Sequence, residues 1–224
     1  MRRATRRIPI KRPKPSEALA EFFGIFIGDG SFSNRYQISI AYNYKCEEGY
    51  ARYVDGLIYG LFGIRARRRI RKRFGSAELI FTGSNLVEYI RMLTGIKEKL
   101  GKESCVFPKW LSASIKCKRG FIRGLFDSEG CVYRHSYLSH GKRYSYVKIA
   151  VTNYDDRILT VFQRYLRSLG IESVKYDKRI HIYDRDGVRK YFQAVGSNNN
   201  KNLKRYRKYS IAGEVPKRLK GRAC

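Results

Sequence analysis

The sequence is short of acidic residues, with 19 Asp and Glu against 48 Lys and Arg among 224 residues. It has three histidines and five cysteines, and no two cysteines have the close CxxC spacing of a zinc site. This excludes a zinc module or a disulfide framework and predicts reduced thiols in an intracellular protein. The longest apolar run, residues 22–27, is far below the ~20 residues that cross a bilayer. The basic N-terminus lacks the apolar stretch of a secretory signal.

The composition is dominated by positive charge, a formal +29, together with 43% hydrophobic and 14% aromatic residues. Apolar content of this size predicts a folded core rather than a disordered chain. The charge predicts a polyanionic partner, with nucleic acid ahead of an anionic membrane surface. Residues 1–15 and 197–224 are rich in Lys and Arg. We predict a basic N-terminal arm and a basic C-terminal tail, which either are solvated or follow phosphates.

Between these ends the chain repeats itself weakly. Acid-glycine turns at residues 28–30 and 128–130 are followed in the same order by an alternating strand and a helix that ends in Gly-Ile. Each unit is predicted to run αββαββα, with residues 16–96 as the first unit, 97–117 as a connector and 118–196 as the second unit. The predicted fold class is α+β, with two pseudo-symmetric units and two antiparallel sheets side by side.

The two acidic turns end apolar helices that have small residues four apart, Gly24 with Gly28 and Gly124 with Ser128. Such positions share a helix face and permit close approach of a second helix. The glycine after each acid is expected to supply a left-handed turn. If the two small faces pack together, Asp29 and Glu129 meet at one end, and paired carboxylates suit Mg²⁺ beside phosphate. One Asp-Gly turn alone is usually only a turn, whereas two at equivalent places favour a site.

Both nine-residue segments, 22–30 and 122–130, match the motif of the LAGLIDADG homing endonucleases, and the chain resembles a monomeric, two-motif member over residues 16–195. Ile27 stands where the motif frequently has its first acid, and Glu129 stands where Asp is commoner. The resemblance implies that Asp29 and Glu129 share two or three Mg²⁺ ions, which Mn²⁺ or Ca²⁺ replaces for binding, with help from the backbone carbonyls of Gly28 and Ser128.

The resemblance also implies an activity. The expected enzyme is an intron-encoded or free-standing site-specific endonuclease that cuts both strands of a long, non-palindromic DNA target and leaves short 3′ overhangs. It is expected to act as a monomer, in the cytoplasm or an organelle matrix with the host DNA, with its two sheets forming a saddle in successive major grooves. The alternative is an RNA maturase or another RNA-binding protein on the same scaffold.

Residues 65–73 alternate so that every second position is arginine, and that side of a strand is predicted to face DNA, whereas Ile70 faces the helices. A solvated charged face is the alternative. The strands that precede this one, and their counterpart in the second unit, add further outward residues. The predicted DNA-binding set is Arg35, Gln37, Ser39, Arg65, Arg67, Arg69, Arg71, Arg73, Tyr144, Tyr146 and Lys148.

The repeat alignment matches residues 40–41 with 149–150 and so places Lys45 opposite Tyr154. In the family that the chain resembles, polar residues at the ends of these strands organise the attacking water. Lys45 is therefore predicted to be a catalytic group beside one scissile phosphate, with Lys148 as a candidate for the other. A solvated lysine is the alternative. The predicted consequence is unequal cutting of the two strands.

Overall fold

The computed structural model describes residues 7–96 and 105–211. The first unit contains α1 (Glu17–Asp29), β1 (Gly30–Asn34), β2 (Gln37–Asn43), α2 (Glu48–Phe62), β3 (Arg67–Arg71), β4 (Ser76–Thr82) and α3 (Ser84–Thr94). The second unit contains α4 (Ile115–Glu129), β5 (Gly130–Ser139), β6 (Lys142–Thr152), α5 (Asp156–Ser168), β7 (Val174–Tyr176), β8 (Arg179–Ile182) and α6 (Arg185–Ala194). A last helix, α7 (Asn200–Ile211), follows.

Each unit has one four-stranded antiparallel sheet, with strand orders β1-β2-β4-β3 and β5-β6-β8-β7. Strand residues that alternate toward the helices, such as Ile38 and Ile40 in the first sheet and Ile149 and Val151 in the second, are buried. Within the described residues, the other face of each sheet has exposed side chains, among them Arg69 in the first sheet and Tyr144 in the second, and we call it the uncovered face. The predicted α+β class with two αββαββα units is confirmed.

The two central helices begin at serine caps, which fix where each unit starts. Ser16 Oγ accepts a hydrogen bond from the Leu19 N–H, and Ser114 Oγ accepts one from the Cys117 N–H. The first cap lies at residue 16, the predicted start of the first unit. The second unit therefore begins a few residues before the predicted boundary at 118, because Ser114 and not a later residue caps α4.

The N-terminal segment is packed on the first unit over the part that the structure describes. Ile8 and Ile10 lie against the core. The Lys11 N–H donates to the Phe62 carbonyl at 3.1 Å, and the Tyr89 hydroxyl donates to the Pro13 carbonyl at 3.2 Å. The predicted arm at residues 1–15 is therefore wrong for residues 8–13, because two isoleucines among the basic residues find apolar partners. Residues 1–6 lie outside the described part.

The C-terminal segment is also part of the fold. The prediction of a basic tail from residue 197 is wrong up to residue 211, because Ser197, Asn199 and Asn202 are buried and α7 packs on β5 and β6. Phe192 of α6 stacks on Tyr206 of α7 with ring centroids 3.8 Å apart. Residues 212–224 lie outside the described part. Within the two described ranges, no helix is long and apolar enough to cross a membrane.

Candidate functional site

The centre of the molecule is the contact between α1 and α4, which run parallel. A Cβ on Gly24 would lie 2.5 Å from the Phe121 carbonyl oxygen, and a Cβ on Gly124 would lie 2.1 Å from the Glu21 carbonyl oxygen. The backbones touch, as the small residues four apart predicted. Gly120 makes a third contact of this kind that was not predicted, because its Cβ would lie 2.3 Å from the Glu17 carbonyl oxygen. The spacing of residues 120, 124 and 128 indicates this position as well.

This packing brings the two acidic turns together. A Cβ on Gly28 would lie 2.5 Å from Ser128 Cβ and 3.2 Å from Glu129 Cγ. The C-terminal ends of both helices therefore meet, and Asp29 and Glu129 are the last residues of α1 and α4 and only partly buried. Both helix dipoles place their negative ends at the same point. In a chain of net charge +29, this junction concentrates negative charge.

The glycines that follow the acids have a different role from the one predicted. Gly30 and Gly130 are extended, with φ of −78° and −100°, and each starts a strand directly. The expected left-handed turn is therefore absent at both positions. A Cβ on Gly30 would lie 2.4 Å from the Phe26 ring, and one on Gly130 would lie 2.3 Å from the Phe126 ring. Glycine is required at both positions because a Cβ would collide with the preceding helix turn, and not because the backbone needs a positive φ.

A cleft of about 670 Å³ opens beside Glu129, lined by Ile27, Gly28 and residues 152–158. Tyr154 in its wall is 84% exposed. Asn153 shapes this loop, because its Oδ1 accepts a hydrogen bond from the Asp155 N–H at 2.9 Å. The cleft leaves the acidic junction open from the side of the second unit.

The equivalent space on the side of the first unit is filled by residues 197–201. The Asn199 side-chain amide donates to the Asp127 carbonyl at 3.0 Å and to Glu47 at 2.9 Å. The Asp127 carboxylate accepts from the Ser197 hydroxyl and from the Asn198 N–H. Asp127 and Ile27 occupy the same position of the two motifs. The acid is present at Asp127, where polar groups of residues 197–199 cover it. The Ile27 position instead faces the open cleft.

A buried polar network continues from this segment beneath the central helices. Glu21, 1% exposed, accepts from Arg123 at 2.6 Å, from the Tyr53 hydroxyl at 2.7 Å and from the Asn198 amide at 2.7 Å. Arg123 also binds Glu17 at 2.9 Å. Hydrogen bonds from Arg119 and Arg123 hold the pKa of the Glu17 carboxyl below its usual value. The network fixes both units and the C-terminal segment around the helix pair.

Lys45 lies in the turn after β2 and is exposed. Its Cε is 3.9 Å from the position of a Cβ on Gly75, so the side chain extends toward the β3–β4 turn at the outer side of the sheet. It does not line the cleft beside Glu129.

The strand register also corrects the predicted partner of Lys45. Gly30 pairs with Ile40, whereas Gly130 pairs with Val151, two residues beyond the position that the repeat alignment used. The predicted match of residues 40–41 with 149–150, from which the pairing of Lys45 with Tyr154 was derived, is therefore wrong, and the turns that follow β2 and β6 differ in length. The loop lengths of the two units hid this difference from the sequence.

The arginine strand is shorter than its sequence pattern. Arg67, Arg69 and Arg71 pair in register with Ile80, Glu78 and Ser76, on the sheet face away from the helices, as predicted. The prediction that Arg65 and Arg73 also belong to this strand is wrong, because Arg65 precedes the strand and Arg73 follows it.

Contacts of the two flanking arginines explain the correction. Arg65 binds Asp55 of α2 at 3.0 Å and stacks over Tyr59 at 3.9 Å, so it lies on the helix side. Arg73 belongs to the 3₁₀ turn Lys72–Phe74, where strand alternation no longer applies.

The opposite side of β3 is only half covered. Ile70 points to the helix side but is 49% exposed, because β3 is the edge strand. The prediction that Ile70 faces the helices is confirmed, but the helices do not bury it. Arg68 on the same side binds Glu48 of α2 at 2.9 Å.

The residues of β2 that were predicted to face outward are less exposed than expected. Ser39 is on the uncovered face but is buried by Ser31 and Ser33, whose hydroxyls lie 3.0 Å from its own. It therefore supports the surface and does not reach outward. Gln37 is half-buried and donates to Thr82 at 3.2 Å. Arg35 is exposed, but it lies in the β1–β2 turn, whereas the prediction placed it on a strand.

The second sheet presents aromatic rings where the first presents arginines. Tyr144, Tyr146 and Lys148 face away from the helices, as predicted. The Tyr137 ring stacks on Tyr144 and Tyr146, with centroids 5.4 and 6.0 Å apart. The Lys148 ammonium lies 4.7 Å from the centre of the Tyr183 ring. The two uncovered faces therefore differ in chemistry, as the sequence indicated, and β5 and β6 extend theirs beyond the short β8.

Comparison with known proteins agrees with this architecture. Residues 116–209 match the model of the LAGLIDADG-like domain. Solved structures of similar fold include I-DmoI in complex with DNA and Ca, which is 19% identical over 82% of this chain and 91% of that chain, with a TM-score of 0.53. I-SmaMI bound to an uncleaved DNA target with calcium ions is 11% identical over 90% and 91%, with a TM-score of 0.59.

The LAGLIDADG meganuclease I-AabMI bound to uncleaved DNA is a third similar structure, 11% identical over 88% and 90% of the two chains, with a TM-score of 0.56. No curated protein sequence matches the chain. The second unit thus matches the LAGLIDADG-like domain model, and the chain has the two-unit fold of the solved LAGLIDADG structures, as its two motifs predicted.

Proposed function

We propose that this two-unit LAGLIDADG protein is a site-specific DNA endonuclease that hydrolyses phosphodiesters in both strands of a long, non-palindromic target and leaves short 3′ overhangs. The observation that carries the proposal is the junction of Asp29 and Glu129 at the touching ends of two parallel helices. Solved proteins of the same fold, I-DmoI, I-SmaMI and I-AabMI, are homing endonucleases or meganucleases whose structures include complexes with DNA.

The junction suits a hard divalent cation. Two carboxylates and two helix C-termini supply oxygen donors and negative charge, and Mg²⁺ is usually held by one or two carboxylates with substrate phosphates completing its shell. Across the described residues, no group of three or more His, Cys, Asp or Glu is placed to hold a metal, so DNA oxygens would complete the coordination. Asp29 and Glu129, with the carbonyls of Gly28 and Ser128, would hold two or three ions.

Each part of the chain has a defined task in this proposal. Bound Mg²⁺ would supply Lewis-acid stabilisation of the phosphate and its leaving oxygen. The glycine contacts of α1 and α4 hold the two acids at a fixed separation. The open cleft beside Glu129 would admit the water that attacks phosphorus. Lys45 and Lys148 are proposed to add positive charge near the two DNA strands.

The uncovered sheet faces are proposed to read the DNA. Arg67, Arg69 and Arg71 match guanine O6 and N7, which accept two hydrogen bonds from one guanidinium. Tyr144 and Tyr146 offer hydroxyls and apolar rings instead. Because the two faces differ, the two half-sites should differ too, which gives a non-palindromic target for a monomer.

The decisive experiment separates cleavage from binding. Asp29→Asn and Glu129→Gln should each abolish Mg²⁺-dependent cutting of a duplex that the protein binds, while binding is kept or tightened, because a carboxylate near phosphate repels it. Asp127→Asn is the matched control: it changes an acid of the same motif that is directed at Ser197 and should still cut. Full cutting by Glu129→Gln would remove the site. Binding of RNA without any DNA cleavage would favour the maturase alternative.

A second test concerns phosphate contacts. We expect on the order of ten contacts and a slope of log K against log salt of about −0.9 per contact. Deleting residues 1–6, which hold Arg2, Arg3 and Arg6, should make the slope shallower and leave base preference unchanged. A truncation to residue 14 would also remove the packed Ile8 and Ile10. A changed base preference would show that this arm reads sequence.

A further inference from the structure

On the basis of the proposed function, we propose that Glu78 is a specificity-determining residue: it holds Arg69 and Arg71 in the orientation that reads bases and keeps them from binding phosphates indiscriminately. Glu78 lies on β4 directly opposite Arg69, on the sheet face away from the helices. It is a carboxylate in the middle of a surface that otherwise collects positive charge for a polyanion.

Both oxygens of Glu78 are engaged by different arginines. Oε2 accepts from Arg69 Nε at 2.8 Å and from Arg69 Nη2, and Oε1 lies 3.0 Å from Arg71 Nη2. The Glu78 side chain is 18% exposed, whereas those of Arg69 and Arg71 are 48% and 49% exposed. The carboxylate is therefore set back in the sheet, and the two guanidinium groups lie outside it.

The geometry determines which edge of Arg69 faces outward. A guanidinium has five N–H groups, and Glu78 takes the edge formed by Nε and Nη2. The end-on edge, formed by Nη1 and Nη2, is the pair that matches guanine O6 and N7. An arginine already held in one rotamer loses less conformational freedom on binding, so the right base is favoured over a loosely placed phosphate.

The same strand contains an internal comparison. Arg67 is on the same face, but the residue opposite it is Ile80, which has no acceptor for a guanidinium. Arg68 is on the other face, where Glu48 binds it at 2.9 Å. Exposed ion pairs contribute little to folding stability, so the double pairing of Glu78 is better explained by orientation than by stabilisation of the fold.

The experiment selects bound duplexes from a randomised library in EDTA with wild-type protein and with Glu78→Gln. The variant should bind a scrambled duplex more tightly, because a negative charge is removed. It should discriminate its selected sequence from the scrambled one at least about tenfold less well, the size of one lost bidentate base contact. The loss of base preference should be confined to a few adjacent base pairs of the selected sequence. These should differ from the base pairs at which Arg67→Ala loses preference.

Two further variants separate orientation from charge. Glu48→Gln changes the net charge equally, on the helix side, and should leave the base profile intact. Glu78→Asp keeps the charge but shortens the side chain, so it should lose base preference while binding scrambled DNA as weakly as wild type does.

An unchanged base profile in Glu78→Gln, or an equal relaxation in Glu48→Gln, would overturn the role of Glu78. Wild-type protein that selected no sequence at all would instead contradict the proposed function.

Discussion

Asp127 provides a prediction whose size follows from the structure. Its carboxyl is 1% exposed, and burial raises its pKa from 3.8 to about 7, against hydrogen bonds from Ser197 and Asn198 that favour the charged form. Since the folded pKa is the higher one, the unfolded chain releases this proton first as the pH rises. The free energy of unfolding should therefore fall between about pH 4 and pH 7 and then level off.

The change is measurable by comparison with Asp127→Asn, which keeps the shape and cannot titrate. From pH 5 to pH 8, wild type should lose about 2.5 kcal/mol relative to the variant, the linkage value for that shift. Urea denaturation of both proteins at the two pH values gives the difference. Other titrating groups contribute equally to both proteins and cancel in this difference. They include His181, whose pKa is lowered by burial. Parallel pH profiles would show that Asp127 is ionised in the folded protein and would refute the reasoning.

Three further outcomes are expected. Gly124→Ala should cost about 3 kcal/mol or more in a urea melt, because its Cβ would lie 2.1 Å from the Glu21 carbonyl oxygen; Gly56→Ala, with nothing within 4 Å, should stabilise by about 0.5–1 kcal/mol. Ile70→Ala should cost less than about 1 kcal/mol, since half of that side chain is exposed; a loss of about 2–5 kcal/mol would match a fully buried position. Lys45→Ala should slow one strand more than the other and let nicked plasmid accumulate in a time course with end-labelled strands, and equal slowing would remove Lys45 from the catalytic set.

Features that depend on local sequence were predictable. The start of the first unit at residue 16 and the small residues four apart on α1 and α4 are each encoded within one or two helical turns, and the order of elements follows from the repeat of such segments. The pairing of Asp29 with Glu129 followed from them, because helices that pack through two small faces in parallel must end together. The outward side of Arg67, Arg69 and Arg71 also followed, since strand alternation is a local property.

Features that depend on distant contacts were decided only by the tertiary structure. In the sequence, the basic neighbours of Ile8 and Ile10 suggest a solvated segment. In the fold, this segment packs against α2 and α3. Whether residue 27 or residue 127 faces polar groups depends on a segment 70 residues downstream of the second motif. Burial at an edge strand, as for Ile70, depends on how far the helices extend over the sheet. The sequence determined which surfaces could meet, whereas the packing of the two units decided which of them did, because burial is a property of the assembled layers and not of any one segment.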